Sequence, residues 1–168
     1  MSTSVPGPRT PTLRFLFSHP AHFVALGFGS GLAPRAPGTF GTLAAWALYY
    51  PLRPFFNDWG FLLFLAWGFI LGAFAIEVTG RRLGEIDHGS IVWDEFIAIW
   101  LVLFFTPASW AWQVGAFLLF RLFDITKPPP IRQADARFKN GLGVMFDDVL
   151  AAAYSLIVLA IAVRILAA

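Results

Sequence analysis

Acidic side chains in this 168-residue sequence lie beside its most apolar stretches, where they could bind a cation. Six of the ten acidic residues share this placement: Asp87, Asp94, Glu95, Asp124, Asp147 and Asp148. A carboxylate at the centre of a membrane helix costs about 2.5 to 3.5 kcal/mol on insertion scales, so a cluster of them needs compensation. A cation can supply it, and so can protons held between the carboxylates.

Helix capping is the structural alternative for these acids. Asp94-Glu95 and Asp147-Asp148 each open a predicted helix, where a carboxylate interacts favourably with the helix dipole. Two such pairs together with Asp124 exceed what capping requires, so we favour the cation-binding interpretation.

Basic residues near the same acids could bind a phosphate. Lys127 is a point charge suited to phosphate, and Arg121 could bind it bidentately or pair with Asp124. Arg132 could contact the same ligand or serve only as an anchor at the membrane edge. Phosphate-ester hydrolysis needs cationic donors, a hard cation and a group that activates water, and carboxylates, lysine and arginine supply all three.

A Pro-Gly-Thr-Phe-Gly segment at residues 37–41 precedes a predicted helix, so its backbone N–H groups could hold a phosphate. The candidate residues there are Gly38, Thr39 and Gly41. The same segment could equally be an ordinary turn. His88 could donate a proton to a leaving alkoxide or only form a local hydrogen bond.

The composition limits the classes to which these residues can belong. Hydrophobic residues make up 58% of the chain and charged residues 13%, which is typical of a protein in a bilayer. The absence of cysteine excludes disulfide scaffolds, thiolate metal sites and cysteine-nucleophile enzymes. A formal net charge of +2 is too small for a nucleic-acid reader, so no nucleic-acid partner is expected.

Four apolar stretches could reside in a membrane, and they set the predicted fold. They span residues 36–52, with the helix starting near Thr42, then 59–76, 96–120 and 149–168. The third is interrupted at Thr106-Pro107, which divides it into two helices of about ten to twelve residues, each too short to cross. The sequence therefore predicts an all-α, small polytopic membrane helical bundle with a proline-broken re-entrant helical hairpin.

The N-terminal residues differ from the rest of the chain. Residues 1–14 contain three prolines and no apolar run, so we expect a flexible tail followed by a single membrane-embedded domain at residues 15–168. The apolar run after the tail is too short for a cleavable signal peptide, and residues 15–17 are typical of an interfacial segment.

Four ordered blocks of sequence cover nearly the whole chain after the tail: GFGSGLAPRAPGTFG at 27–41, DHGSIVWDEF at 87–96, FRLFDITKPPPIR at 120–132 and GLGVMFDD at 141–148. In order and spacing these blocks resemble the phosphatidylglycerophosphatase A family. The resemblance implies a magnesium-dependent membrane phosphatase that converts phosphatidylglycerophosphate to phosphatidylglycerol. It also implies a location in the bacterial inner membrane. Ala98, Asn140 and Ala152 stand where we would expect glycine in this pattern.

The resemblance and the charges together give each candidate residue a role. The expected magnesium ligands are Asp94, Glu95, Asp147 and Asp148, and Asp124 is a further ligand or the base that aligns water. Lys127 acts in catalysis and in phosphate binding. The remaining substrate-binding candidates are Gly38, Thr39, Gly41, Arg121 and Arg132.

One active site requires both ends of the third apolar stretch to lie on the same side of the membrane, which is why we predict a hairpin. Residues 42–56 would then cross outward and 59–76 back. Most basic residues of the membrane domain would lie on the cytoplasmic side, as the positive-inside rule requires: Arg35, Arg81, Arg82, Arg121, Lys127, Arg132, Arg137 and Lys139. Arg53 and Arg164 lie on or towards the other side.

A small cation-coupled transporter or channel component is the alternative function, since buried carboxylates can form an ion path. That alternative leaves Lys127, Arg121 and the three consecutive prolines beside Asp124 unexplained.

Overall fold

The computed structural model describes residues 9–129 and 131–166, except for the side chains of residues 134–136. It contains helices α1 (Leu13–Leu16), α2 (Pro20–Ala25), α3 (Pro37–Leu52), α4 (Asp58–Leu83), α5 (Trp93–Phe105), α6 (Trp110–Thr126), α7 (Ile131–Arg137) and α8 (Gly141–Leu166). Short 3₁₀ segments lie at Gly27–Leu32 and Arg53–Phe55. The described part of the chain holds no strand, which confirms the all-α class. Of the tail predicted for residues 1–14, residues 1–8 lie outside the described chain.

Helices α4 and α8 are both 26 residues long, and by length and composition each could cross a membrane. The other helices are shorter: α3 has 16 residues, α5 has 13 and α6 has 17. The fold thus combines two helices of membrane-spanning length with several that fall below it.

Three helix boundaries differ from the sequence prediction. Helix α3 begins at Pro37 and not near Thr42, because proline at the first helical position has a suitable φ and lacks only an N–H that would have no partner. Helix α4 continues past residue 76 to Leu83, where Gly84 ends it in a left-handed conformation. Helix α8 begins at Gly141 and not at residue 149, so Asp147 and Asp148 lie inside it.

The predicted break in the third apolar stretch is present at Thr106-Pro107. Helix α5 ends there, where Thr106 has the extended conformation that a residue before proline favours. Helix α6 starts at Trp110 and folds back, so that Arg121 near its end reaches Glu95 near the start of α5. Both helices are longer than the expected ten to twelve residues, because α5 starts at Trp93 and α6 continues past Phe120 to Thr126.

Helix α5 lies at the centre of the fold. Its residues from Trp93 to Trp100 are all buried, and the ring nitrogens of its two tryptophans donate to backbone carbonyls of neighbouring helices. Trp93 Nε1 donates to Gly68 O of α4 at 3.0 Å, and Trp100 Nε1 donates to Ala45 O of α3 at 2.7 Å. These bonds satisfy the polar atoms of an otherwise apolar helix and fix its position between α3 and α4.

The N-terminal helices pack on the end of the bundle where α4 finishes and α5 starts. His22 of α2 is fully buried, and its Nδ1 lies 3.0 Å from Thr79 Oγ1 of α4. Val92 N, just before α5, donates to Ala25 O at 3.0 Å. The segment therefore lies close to the acidic residues at the start of α5.

Candidate active site

The charged residues of α5 and α6 meet two acidic residues of α8 at one end of the bundle. We call Asp94 and Glu95 the α5 pair, and Asp147 and Asp148 the α8 pair; all four are buried. Arg121 joins α5 to α6, because its Nη1 lies 2.9 Å from Glu95 Oε1 and 2.6 Å from Asp124 Oδ2. Of the two roles considered for Arg121, pairing with Asp124 is the one observed.

Lys127 makes the second link, between the end of α6 and α8. Its Nζ lies 2.5 Å from Asp147 Oδ2. The residue ends α6 in a left-handed conformation with φ of 40°, which is uncommon for a side chain other than glycine. Such strain persists only where surrounding contacts enforce it, and it is frequent at functional sites.

Some buried carboxylate oxygens of this cluster accept no hydrogen bond from any residue that the structure describes. They include Asp94 Oδ1 and Asp148 Oδ2. Leaving a buried acceptor without a partner costs about 1–3 kcal/mol, and more for a charged group. These oxygens are therefore available to a ligand that the protein itself does not provide.

Burial and mutual repulsion disfavour the charged form of the α5 pair. Burial raises the pKa of Asp94 well above its ordinary value, and the negative charges of Glu95, Asp87 and Asp147 raise it further. Burial also raises the pKa of Glu95 to about 7, although the Arg121 charge opposes that shift. A bound cation would favour the ionised form of both carboxylates.

Helix capping does not account for Glu95 or for the α8 pair. Asp147 and Asp148 are the seventh and eighth residues of α8, beyond the reach of its N-terminal amides. Glu95 lies in the first turn of α5, but its carboxylate binds Arg121 and accepts a hydrogen bond from Thr42.

The start of α3 lies against this cluster. Gly38 has no room for a side chain, because a Cβ there would overlap Glu95 Oε1 and lie 3.1 Å from Arg121 Nη2. Thr39 is half-buried in the same turn. Gly41 instead packs on Val92, just before α5, since a Cβ at residue 41 would lie 2.6 Å from that of Val92. The predicted segment is thus the first turn of a helix that contacts Glu95.

Thr42 is a site residue that the sequence analysis did not identify. It is fully buried, and its hydroxyl lies 2.7 Å from Glu95 Oε2 and 2.9 Å from Gly38 O, either of which can accept its proton. Arg121 Nη1 lies 3.4 Å from the same hydroxyl. Thr42 follows Gly38 by four residues and therefore lies on the same face of α3. This spacing was the signal for Thr42 that the sequence offered.

Two further candidates are placed differently. Arg132 is exposed on α7 and lies outside the cluster of buried charges. His88 is half-buried in the loop before α5, where its Nδ1 accepts a hydrogen bond from Ser90 N at 3.2 Å. That contact is the local hydrogen bond considered for His88.

The donors around the cluster fit a magnesium ion shared with a phosphate better than one enclosed by protein. Among the described residues, no group of three or more histidine or acidic side chains is arranged to hold a metal ion alone. Magnesium commonly binds one or two carboxylates and completes its shell with water and substrate phosphate. The unpartnered oxygens of Asp94 and Asp148 are hard donors of that kind.

Comparison with known proteins gives consistent results. The family model described as phosphatidylglycerophosphatase A matches residues 23–163. Phosphatidylglycerophosphatase A of Haemophilus influenzae is 48% identical over 88% of this chain and 91% of its own length. The Escherichia coli protein of the same name is 42% identical over 84% of this chain and 83% of its own.

A third relative has a different name. A putative phosphatidylinositol-3-phosphatase of Bacteroides thetaiotaomicron is 41% identical over 83% of this chain and 91% of its own length. No solved structure was found to match. Because the family model covers most of the chain and two relatives of that name exceed 40% identity, this chain belongs to the phosphatidylglycerophosphatase A family, whose members are phosphoric monoester hydrolases.

Proposed function

We propose that this protein hydrolyses phosphatidylglycerophosphate to phosphatidylglycerol and inorganic phosphate, and that it requires magnesium. The observation that carries the proposal is the pair of unpartnered buried carboxylate oxygens, on Asp94 and Asp148, in the same cluster as the cations Arg121 and Lys127. Two of the relatives are named for this activity.

Magnesium would be held by the α5 pair and the α8 pair. When bound, it would polarise the phosphoryl oxygens and neutralise the charge that develops on them. The chain's own contribution is to keep four acidic side chains in a buried site close to basic ones.

The phosphate would lie between the start of α3 and the two basic residues. Gly38 and Thr39 are in the first turn of α3, so no preceding helical carbonyl accepts their N–H groups. Arg121 Nε is buried and donates to no described residue. Lys127 supplies a second positive charge from the end of α6. Arg132, exposed on α7, would contact the lipid headgroup from outside the cluster.

Asp124 is the proposed base that aligns the attacking water. Its Oδ2 is bound by Arg121 at 2.6 Å, which fixes its orientation beside the proposed phosphate position. A P–O bond to water forms while the bond to the glycerol oxygen breaks. Asp124 accepts the proton that the water loses, and the leaving glycerol oxygen takes a proton from solvent.

We propose a membrane arrangement in which α4 and α8 cross the inner membrane, and in which α3 also crosses because the 3₁₀ segment Arg53–Phe55 extends it by three residues. Helices α5 and α6 would enter and return, so that the site faces the cytoplasm with most basic residues of the membrane domain. Single cysteines at Ser90 and Gln133 can be labelled with an impermeant thiol reagent on intact and opened cells. Both positions should be labelled only after the inner membrane is opened.

A cation-coupled transporter, the alternative from the sequence, has no support from the relatives, all of which are named as phosphatases. The direct test is phosphate release by the detergent-purified chain, with magnesium or with a chelator present. Phosphatidylinositol 3-phosphate should be assayed in parallel, because one relative is named for that substrate. Preference for it over phosphatidylglycerophosphate would refute the proposed substrate.

A further inference from the structure

Helix α4 carries none of the proposed site residues, yet it contacts α5 and α8, the two helices that carry the proposed magnesium ligands. Trp93, which precedes the α5 pair, donates its ring N–H to Gly68 O at 3.0 Å. Gly72, one turn further along α4, has no space for a side chain, because a Cβ there would lie 2.6 Å from Trp93 Nε1 and 3.0 Å from Met145 Sδ. Met145 precedes the α8 pair by two residues. The two carboxylate-bearing helices therefore meet α4 at the same place, just before their acids.

Glu77 of α4 makes a direct polar contact with the start of α8. Its Oε2 accepts a hydrogen bond from Gly141 N at 2.8 Å. Its Oε1 is held by Arg81, one turn along α4, with Arg81 Nε at 2.8 Å. The carboxylate satisfies one of the N-terminal amides that a helix leaves without a carbonyl partner, and its charge suits the helix dipole.

The backbones of α4 and α8 also touch at this point. A Cβ on Gly141 would overlap the carbonyl oxygen of Ala73 and lie 3.0 Å from Glu77 N. Asn140 holds the same turn from the other side, because its Oδ1 accepts from Gly143 N at 2.9 Å. The first turn of α8 is thus fixed on α4 by steric contact and by the hydrogen bond from Gly141 to Glu77, while Asn140 caps it locally.

We infer that Glu77 is a positioning residue, which sets the position of α8 along its axis and so the distance between the α8 pair and the α5 pair. The inference rests on the proposed function of these acids as magnesium ligands. A helix transmits displacement along its axis, and the α8 pair lies only six and seven residues beyond Gly141. Magnesium demands near-ideal octahedral geometry at about 2.0–2.1 Å, so it tolerates little movement of its ligands.

The test compares Glu77→Ala with Glu77→Gln in the full chain, purified in detergent. Manganese binding, measured by the loss of the free-ion EPR signal, reports on the cation site without catalysis. We expect Glu77→Ala to bind manganese about tenfold more weakly and to need about tenfold more magnesium for half-maximal activity, with KM for the lipid within twofold of wild type. Glu77→Gln keeps an acceptor for Gly141 N and should behave like wild type.

Two control variants distinguish the loss of the hydrogen bond between Glu77 and Gly141 N, which caps α8, from the loss of a surface charge alone. Arg81→Ala removes the ion pair and leaves the cap, and Glu85→Ala removes an exposed acid at the same end of the bundle. Both should bind manganese normally. Wild-type manganese binding by Glu77→Ala, or equal losses in the alanine and glutamine variants, would overturn the inference.

Two other outcomes also have a definite meaning. If Glu77→Ala does not fold, Glu77→Asp replaces it, because that side chain keeps the charge but is one methylene too short to reach Gly141. Unchanged manganese binding by Glu77→Asp would overturn the inference. If the wild-type chain binds manganese but releases no phosphate from phosphatidylglycerophosphate, the proposed function fails, and the manganese comparison still tests Glu77.

Discussion

Gly38 is the point at which α3 lies closest to Glu95, so Gly38→Ala tests whether that contact serves catalysis. The added methyl group would overlap Glu95 Oε1, and the carboxylate would have to move by about 1 Å. That oxygen is held by Arg121 Nη1 at 2.9 Å, so the movement would weaken a charged hydrogen bond worth about 1.5–3 kcal/mol. We expect kcat to fall roughly 10- to 100-fold, since 1.4 kcal/mol corresponds to a factor of ten. The fold should survive, because a side-chain end and not a backbone atom must move.

The assay is steady-state phosphate release from phosphatidylglycerophosphate in mixed micelles, with thermal unfolding as the measure of folding. Gly115→Ala is the matched control, since no atom lies within 4 Å of the Cβ position at this glycine in α6. The control should retain full activity. Wild-type kcat in Gly38→Ala, with an unchanged unfolding temperature, would refute the placement of Glu95 and the start of α3 in the site.

The other predictions concern charge. Asp148→Asn should lower kcat by about 10² or more without unfolding the protein, and near-wild-type turnover would remove Asp148 from the site. Lys127→Met should raise KM with folding retained, whereas unchanged KM and kcat would show that Lys127 is only an anchor. Burial, reinforced by His19 and Arg82, lowers the pKa of His22 below its ordinary 6.5, so the unfolded chain takes up a proton more readily than the folded one. The stability that neutral His22 contributes is therefore present above about pH 6.5 and is lost as the pH falls. The unfolding temperatures of wild type and His22→Gln should converge between pH 7 and pH 5. A difference that stays constant over this range would contradict the prediction.

The sequence was informative where one residue type dictates local structure. Pro107 predicted the break between α5 and α6, because proline interrupts the hydrogen bonding of a helix. The apolar stretches predicted helices correctly, but not all of their ends. The start of α8 was missed because Gly141 and Gly143 are poor helix formers, and only the close approach of α4 explains why glycine is needed at Gly141.

The acidic and basic members of the candidate site were predicted from their charge together with the family resemblance, whereas the roles of Thr42 and Glu77 were not predicted. Thr42 is a neutral residue within an apolar helix, and its importance depends on the long-range contact with Glu95. Glu77, one turn before Arg81 on α4, has the spacing of an ordinary surface ion pair. Its contact with Gly141 joins residues 64 positions apart, which no local pattern reveals.

The burial of α5 has a consequence for how the protein is made. The helix is enclosed by α3 and α4, which precede it in the chain, and by α8, which is synthesised later. During synthesis, α5 therefore packs first against α3 and α4. The face of α5 that contacts α8 in the finished protein stays exposed until α8 is made. The α5 pair gains its acidic neighbours on α8 only when that last helix arrives. Assembly of the proposed cation site is thus a late step of biogenesis, and a nascent chain that has not yet docked α8 would hold Asp94 and Glu95 without the second pair of carboxylates.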